Sequence, residues 1–161
     1  MAIEIERKFL VSGEFKQLAL KQFQITQAYL SFDKDRTVRI RIQDDEAFLT
    51  IKGSGNKSGI SRFEWEKEID LTEAELLIHL AIGEPVDKIR YLIPFQGHLF
   101  EVDVFKGNNH GLILAEIELK SEDESFSKPN WLGREVTGIA RFFNSSLAQY
   151  PFNQWNEKEK I

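Results

Sequence analysis

The sequence predicts an α+β protein in which some eight antiparallel β-strands close into a barrel, with amphipathic helices packed against its outer face. Two observations predict this fold. Segments that alternate charged and apolar residues recur along most of the chain, and three other segments carry apolar residues at helical spacing. A sheet must bury its apolar face, and the helices are the partners available to cover it. Once the sheet closes, the charged face of every strand lines the interior.

The first strand is predicted over Ala2–Leu10, where Glu4, Glu6 and Lys8 share one face. Side chains two residues apart on a strand point the same way and lie about 7 Å apart. Two carboxylates at this spacing can be bridged by a hard cation. For one isolated strand, the plainer interpretation is a solvated face of an ordinary sheet. The recurrence of the pattern along the chain favours an interior face.

A helix and a strand follow. The helix is predicted to begin at Ser12–Glu14 and to run to about Phe23, because apolar residues recur there at helical spacing. The strand is predicted over Ile25–Phe32, with Gln27 and Tyr29 on one face. The helix would cover part of the sheet.

A basic strand is the counterpart of the acidic first strand. The run Thr37–Ile42 alternates without a fault and places Arg39 and Arg41 on one face. The next run, Ala47–Lys52, is predicted as its hairpin partner and ends in a further cation. Cations and carboxylates are therefore sorted by strand into blocks of one sign.

Four later segments repeat the alternation of charged and apolar residues. They are Ser61–Asp70 with Arg62, Glu64, Glu66 and Glu68, Asp87–Tyr91 with Lys88 and Arg90, Phe100–Phe105 with Glu101 and Asp103, and Leu114–Leu119 with Glu116 and Glu118. A second helix is predicted from Leu71 to Gly83. The capping-box spacing of Ser121–Glu124 predicts the start of a short helix. A third helix, which carries Ile139 and Leu147, is predicted before Pro151.

Composition limits the remaining possibilities. The 161 residues predict one domain over 1–155, followed by a charged tail over 156–161. The chain has no cysteine, which excludes disulfides and thiolate metal sites. No signal peptide or membrane span is apparent, so we expect a cytoplasmic protein that does not bind a membrane. A net charge of −5 argues against nucleic-acid binding.

The sorted charges predict a ligand that carries both signs. Like charges packed in a narrow interior repel strongly unless counter-ions are present. Arginine and lysine bind phosphate oxygens, and carboxylates without histidine or cysteine partners favour Mg²⁺ or Mn²⁺ over zinc. A phosphate chain complexed with a metal ion offers oxygens to the basic residues and a cation to the carboxylates. An open sheet with its charged face in water remains the alternative.

Several short motifs resemble those of the CYTH superfamily, the triphosphate tunnel metalloenzymes. Glu4-Ile5-Glu6-Arg7-Lys8 resembles the ExExK signature of this family, and Gln27-Ala28-Tyr29-Leu30 resembles its QGYL motif with alanine in place of glycine. The further matches occur in order along nearly the whole chain. They are Val38–Arg41, Thr50–Lys52, Glu64–Glu66, Lys88–Tyr91, Glu101–Phe105, Glu116–Glu118 and Gly133–Thr137.

The resemblance implies an eight-stranded tunnel, a small-molecule triphosphate substrate and a divalent cation, Mg²⁺ or Mn²⁺, in a monomer or homodimer. It implies four metal ligands, Glu4, Glu6, Glu116 and Glu118, and five phosphate-binding residues, Lys8, Arg39, Arg41, Lys52 and Arg90. Glu64, Glu66 and Asp103 would bind a second metal ion or orient the basic residues. Lys88 and Tyr29 would activate the attacking water, although Lys88 could instead only contact phosphate.

The expected reaction is hydrolysis of inorganic tripolyphosphate or a similar organic triphosphate. Adenylate cyclase of class IV type and thiamine triphosphatase are the alternatives within the family. Outside catalysis, the same tunnel could serve as a polyphosphate or nucleotide sensor. No ring-binding pocket is evident, because Trp65 falls on the outward face by alternation.

Overall fold

Eight strands close into an antiparallel barrel in the computed structural model, which describes residues 3–160. This confirms the predicted barrel; of the predicted first strand, Ala2 lies outside the described residues. The strands are β1 (Ile3–Val11), β2 (Lys21–Asp33), β3 (Arg36–Gln43), β4 (Glu46–Gly55), β5 (Ser61–Ile69), β6 (Ile82–Phe95), β7 (His98–Phe105) and β8 (Ile113–Glu118). A short ninth strand, β9 (Leu132–Glu135), pairs with the end of β1. The strand order is β1-β5-β4-β3-β2-β6-β7-β8, and β8 pairs with β1 to close the barrel.

The register brings the two acidic strands side by side. Across β1 and β8, Glu6 is the partner of Glu118, and Lys8 is the partner of Glu116. On the other side of β1, Glu4 is the partner of Arg62 on β5. Because paired residues of antiparallel strands share a face, all these side chains point into the barrel.

The outer face of the barrel is covered at two places. Phe9 and Phe100 pack with Trp131 from the segment before β9, which is 1% exposed. On the opposite side, α1 (Leu71–Leu77) lays Ala74 over Ile40 and other apolar residues of β3 and β4. The apolar alternate residues of the strands therefore lie outside, as predicted. A loop segment and a short helix cover many of them, whereas Phe63 and Trp65 of β5 stay exposed.

One end of the barrel interior is apolar and is filled by the C-terminal segment, residues 136–155. Leu114 shares the inward face of β8 with Glu116, and Phe105 shares the inward face of β7 with Asp103. Both pack in one buried cluster with residues of the C-terminal segment, among them Phe142, Leu147 and Trp155. The charged interior is therefore confined to the rest of the barrel.

The prediction of a first helix was wrong. Only a 3₁₀ turn forms, over Lys16–Leu18, and β2 already begins at Lys21. Pairing with β6 extends through Lys21 and Leu92, so long-range strand pairing prevails over the local helical spacing. Phe15 anchors the segment, with its ring 5.6 Å from that of Tyr91.

The predictions of the second and third helices were right in position and too long in extent. The second helix forms as α1 and continues as a 3₁₀ turn over Ile78–Leu80. The third is broken into a 3₁₀ turn over Ala140–Phe142 and α2 (Asn144–Leu147), and a last 3₁₀ turn covers Phe152–Gln154. At 121–124 the chain forms no helix.

The charged tail is held against the protein as far as the structure describes it. Arg141 donates a hydrogen bond from Nε to the carbonyl of Glu159 at 2.8 Å, and the hydroxyl of Tyr150 donates to the Glu159 carboxylate at 2.9 Å. Ile161, the last residue of the predicted tail, lies outside the described residues. Over 3–160, no helix has the length and apolar character needed to cross a membrane.

Candidate active site

A cavity of about 680 Å³ lies within the charged part of the barrel. Residues from all eight barrel strands and from the segment 137–149 line it. The structure places every predicted site residue but one at this cavity; the exception, Asp103, lies directly behind Lys88 and Arg90. Those at the cavity are Glu4, Glu6, Lys8, Tyr29, Arg39, Arg41, Lys52, Glu64, Glu66, Lys88, Arg90, Glu116 and Glu118.

The acidic wall of the cavity consists of Glu4, Glu6, Glu116 and Glu118 on β1 and β8. Burial, together with the neighbouring carboxylates of Glu116 and Glu4, raises the pKa of Glu6 well above its ordinary value. Burial also acts to raise the pKa of Glu116, but Lys8 and Arg90 outweigh it and hold that pKa well below the ordinary value. Crowded carboxylates of this kind, all oxygen donors, suit a hard divalent cation.

The acidic wall is not arranged as a closed metal cage. Among residues 3–160, no three acidic or histidine side chains are close enough to hold a metal ion as they stand. Glu4 is instead engaged by Lys52, with 2.7 Å between Oε2 and Nζ, and Glu116 lies 3.6 Å from the Nζ of Lys8. The donor chemistry of the wall therefore fits a divalent cation, while its carboxylates are partly held by the neighbouring lysines.

Two arginines of β3 face the cavity beside Glu66. Nη2 of Arg39 lies 3.0 Å from the hydroxyl of Thr50, and that hydroxyl donates to Glu66 at 2.7 Å. Arg41 reaches the other oxygen of Glu66 at 3.3 Å. Within the described chain, the Nε groups of Arg39 and Arg41 are buried without a hydrogen-bond partner. Burial, reinforced by Arg39, lowers the pKa of Arg41 to about 10. Both guanidinium groups thus keep unused capacity to bind an anion.

Asp103 holds the two cations of β6. It accepts hydrogen bonds from Nε and Nη2 of Arg90 at 2.8 and 2.9 Å, and the Nζ of Lys88 lies 2.7 Å from its Oδ2. Arg90 also contacts Glu101 at 3.1 Å. This fork-like pairing fixes the plane of the guanidinium and the position of the lysine.

Lys88 is a buried cation whose pKa is lowered toward neutral pH. Burial lowers the pKa of Lys88 to about 8, assisted by Arg90 and opposed by Asp103 and Glu116. Tyr29 borders the same cavity from the neighbouring strand β2 and packs its ring against Phe32, 5.6 Å away. A lysine that loses its proton near pH 8 can accept a proton from water under ordinary conditions.

The C-terminal segment supplies site contacts that the sequence did not indicate. Oδ1 of Asn144 accepts a hydrogen bond from the Nζ of Lys88 at 3.0 Å, and the carbonyl of Phe142 accepts one from the Nζ of Lys8 at 3.2 Å. The expected amphipathic helix in this region gave no sign of a polar role. By contrast, Arg62 and Glu101 also line the cavity, and strand alternation had already placed them on the charged faces.

Trp65 lies where alternation predicted. Its side chain is on the outer face of β5, 43% exposed, and does not border the cavity. One mouth of the cavity nevertheless has an apolar rim, formed by Phe23, Leu92 and Leu99. Phe23 is there because it belongs to β2 and not to the helix predicted for it.

Comparisons with known proteins agree with this geometry. An inorganic triphosphatase of Acetivibrio thermocellus is 46% identical over 158 residues, which span 98% of this chain and 100% of that protein. An inorganic triphosphatase of Nitrosomonas europaea is 43% identical over 90% of this chain and 96% of that protein. The solved structure of the inorganic triphosphatase NE1496 is 39% identical, with a TM-score of 0.63, and covers 90% of this chain and 97% of that chain. A model of the CYTH domain matches residues 2–149, and this chain therefore belongs to the CYTH domain family.

Proposed function

We propose that this protein hydrolyses inorganic tripolyphosphate to pyrophosphate and orthophosphate with the help of a divalent cation. The observation that carries the proposal is the charge balance of the cavity, where eight cationic and seven acidic side chains face one enclosed space. A bare polyanion would meet the acidic wall, and a bare cation would meet the arginines. A triphosphate complexed with a metal ion matches both, and relatives across the whole chain are named inorganic triphosphatases.

The cations that line the cavity would bind the phosphate oxygens. Arg39, Arg41 and Arg90 offer planar forks, and Lys8 and Lys52 offer point charges. All five lie at the cavity, and the two arginines of β3 have unpaired Nε groups among the residues described. These side chains would also stabilise the negative charge that develops on the transferred phosphoryl group.

The acidic wall would hold the divalent cation. CYTH triphosphatases depend on a divalent metal, and Glu4, Glu6, Glu116 and Glu118 supply oxygen donors of the required kind. When bound, a divalent cation neutralises phosphate oxygens and stabilises the leaving group. We propose Mg²⁺ or Mn²⁺, since no nitrogen or sulfur ligand accompanies the carboxylates of the wall.

Glu64, Glu66 and Asp103 would orient the basic residues. Glu64 lies 3.3 Å from the Nζ of Lys52, and Glu66 contacts both arginines of β3. Asp103 is 1% exposed and saturated by Arg90 and Lys88, so an orienting role suits it better than binding of a second metal ion.

Lys88 would act as the general base, with Tyr29 assisting at the same cavity. The water oxygen attacks the terminal phosphorus as its proton passes to the Nζ of Lys88. The bridging P–O bond breaks, and its electron pair leaves with pyrophosphate. The lowered pKa of Lys88 keeps a useful fraction of the amine neutral near pH 8.

A substrate panel tests the proposal. Purified protein is incubated with tripolyphosphate, ATP, thiamine triphosphate or pyrophosphate, each with Mg²⁺ and with Mn²⁺, and the products are separated by ion chromatography. We expect fastest phosphate release from tripolyphosphate. Cyclic AMP among the ATP products would indicate a cyclase, and fastest turnover of thiamine triphosphate would indicate the organic alternative. Tight tripolyphosphate binding without phosphate release would indicate a sensor.

Three further expectations remain predictions. They are the single domain over 1–155, the cytoplasmic location, and a monomeric or homodimeric state. Sedimentation velocity measures the last of these directly.

A further inference from the structure

We propose that Asn144 is a positioning residue that fixes the direction of the Lys88 amine, an inference that rests on the proposed function. Asn144 begins α2 in the C-terminal segment, 56 positions along the chain from Lys88. None of the family motifs recognised in the sequence includes it. Its side chain is half-buried at the cavity, and its oxygen accepts a hydrogen bond from the lysine.

The geometry around the lysine nitrogen leaves one direction free. A tetrahedral nitrogen has four directions, and the bond to Cε takes one of them. Oδ2 of Asp103 lies 2.7 Å away as an ion-pair partner and Asn144 accepts a hydrogen bond at 3.0 Å, so these two oxygens attract the N–H bonds of the amine. The ring of Phe105, 5.4 Å away, offers no acceptor oxygen. In the neutral amine the lone pair must take the direction that the two acceptors leave, and Lys88 borders the cavity.

Gln27 and Lys88 both donate to the same atom of Asn144, its side-chain oxygen. The Nε2 of Gln27 donates to Oδ1 of Asn144 at 2.7 Å, and Gln27 is 1% exposed. An amide nitrogen can only donate, so the atom that receives hydrogen bonds from both Gln27 and Lys88 must be the oxygen. The pair of donors therefore prevents Asn144 from turning its amide nitrogen toward the amine.

The C-terminal segment holds Asn144 rigidly. Phe142 and Leu147 flank it in sequence, are fully buried, and pack in the apolar end of the barrel. The carbonyl of Phe142 accepts a hydrogen bond from Lys8 at 3.2 Å, so the same segment contacts Lys8 as well as Lys88. The position of Asn144 is thus held by the packing of its neighbours in sequence as well as by the hydrogen bonds of its own side chain.

Loss of the Asn144 oxygen should affect turnover and leave substrate binding unchanged. Without it, the amine can rotate and its lone pair no longer points steadily at the attacking water. Misplacement of a general base lowers the rate by about 10- to 100-fold, whereas the phosphate-binding residues are untouched. We therefore expect Asn144→Leu to lower kcat for tripolyphosphate by about this factor, with KM within about twofold of the wild-type value.

The test is a double-mutant cycle with Lys88. Wild type, Asn144→Leu, Lys88→Ala and the double variant are assayed with tripolyphosphate at saturating metal. Because Asn144 acts through Lys88, its substitution should cause no further loss of kcat once Lys88 is absent. Asn153→Leu is the matched control, since Asn153 is exposed on the same segment and, within residues 3–160, its side chain makes one hydrogen bond, to Asn108 at 3.4 Å. It should leave kcat unchanged.

If Asn144→Leu lowers kcat by the same factor with and without Lys88, the inference is wrong. A rise in KM with normal kcat would also overturn it.

If Asn144→Leu melts at a much lower temperature than wild type, Gln27→Met tests the same arrangement by removing the second donor to the Asn144 oxygen. It keeps the volume of Gln27 but frees the Asn144 amide, and it should lower kcat by a smaller factor; unchanged kcat contradicts the inference. Wild-type protein that releases no phosphate would overturn the proposed function as well, whereas normal wild-type turnover with independent losses overturns the role of Asn144 alone.

Discussion

The Nζ of Lys88 lies 2.7 Å from Oδ2 of Asp103, and both side chains are almost wholly inaccessible to solvent. The same carboxylate binds Arg90 through two parallel hydrogen bonds. One buried carboxylate is therefore shared by two largely buried cations. Removal of one partner from such a group leaves a largely buried charge without its counter-ion, and the cost is far larger than for an exposed pair.

Asp103→Asn should strongly destabilise the protein. The substitution keeps the shape of the side chain but leaves Lys88 and Arg90 without their shared anion. We expect the free energy of unfolding to fall by about 3 kcal/mol, measured by urea titration at neutral pH. The matched control is Asp33→Asn, which breaks an exposed pair with Arg36 and should change stability far less. Equal effects of the two substitutions would contradict this account of the buried group.

The rate should rise with pH through about 8. Below that pH Lys88 is protonated and cannot accept a proton from water, and above it the amine is neutral. Asp103, Arg90 and Glu116 set this value together with burial. Lys88→Arg keeps the positive charge but cannot lose its proton, so kcat should be low and its pH profile should lack the inflection near 8. A profile of kcat against pH for both proteins measures this. If Lys88→Arg is as fast as wild type, or Lys88→Ala changes KM alone, Lys88 only contacts phosphate.

Glu4→Gln and Glu6→Gln should each abolish metal-dependent turnover while the fold is retained. A neutral amide is a weaker ligand for a hard cation than a carboxylate, so we expect phosphate release to fall by about 100-fold or more at saturating metal. Circular dichroism checks the fold. Glu68→Gln is the control, because Glu68 is exposed on β5 and does not border the cavity. Near-normal rates in the Glu4 or Glu6 variant would remove that residue from the ligand set.

Arg39→Ala should weaken tripolyphosphate binding much more than Trp65→Ala. Arg39 faces the cavity and has hydrogen-bonding capacity to spare, whereas Trp65 lies on the outer face of β5. A hydrogen bond to a charged group is worth about 1.5–3 kcal/mol, so we expect KM to rise by about 10- to 100-fold for Arg39→Ala. Trp65→Ala should leave KM within about twofold of wild type. The reverse order would place the substrate outside the barrel.

The local pattern was enough to predict which residues face the interior. Arg39 and Arg41 point one way and Ile40 the other, because the direction of a side chain on a strand is a property of two adjacent peptide units. The same reasoning placed Glu4 with Glu6 and kept Trp65 out of the cavity. It failed at Phe23, where local spacing suggested a helix and pairing with β6 produced a strand.

Alternation along the chain is enough to encode the charged and apolar faces, and with them the barrel and the kind of ligand it suits. Which charges meet depends on how the strands pair and how the chain packs. Lys88, Asp103 and Asn144 come from three separate elements, and their contacts exist because strand register and the packing of the C-terminal segment bring them together. The pKa of Lys88 follows from that burial. Such contacts depend on the closure of the whole chain, and no local sequence pattern encodes them.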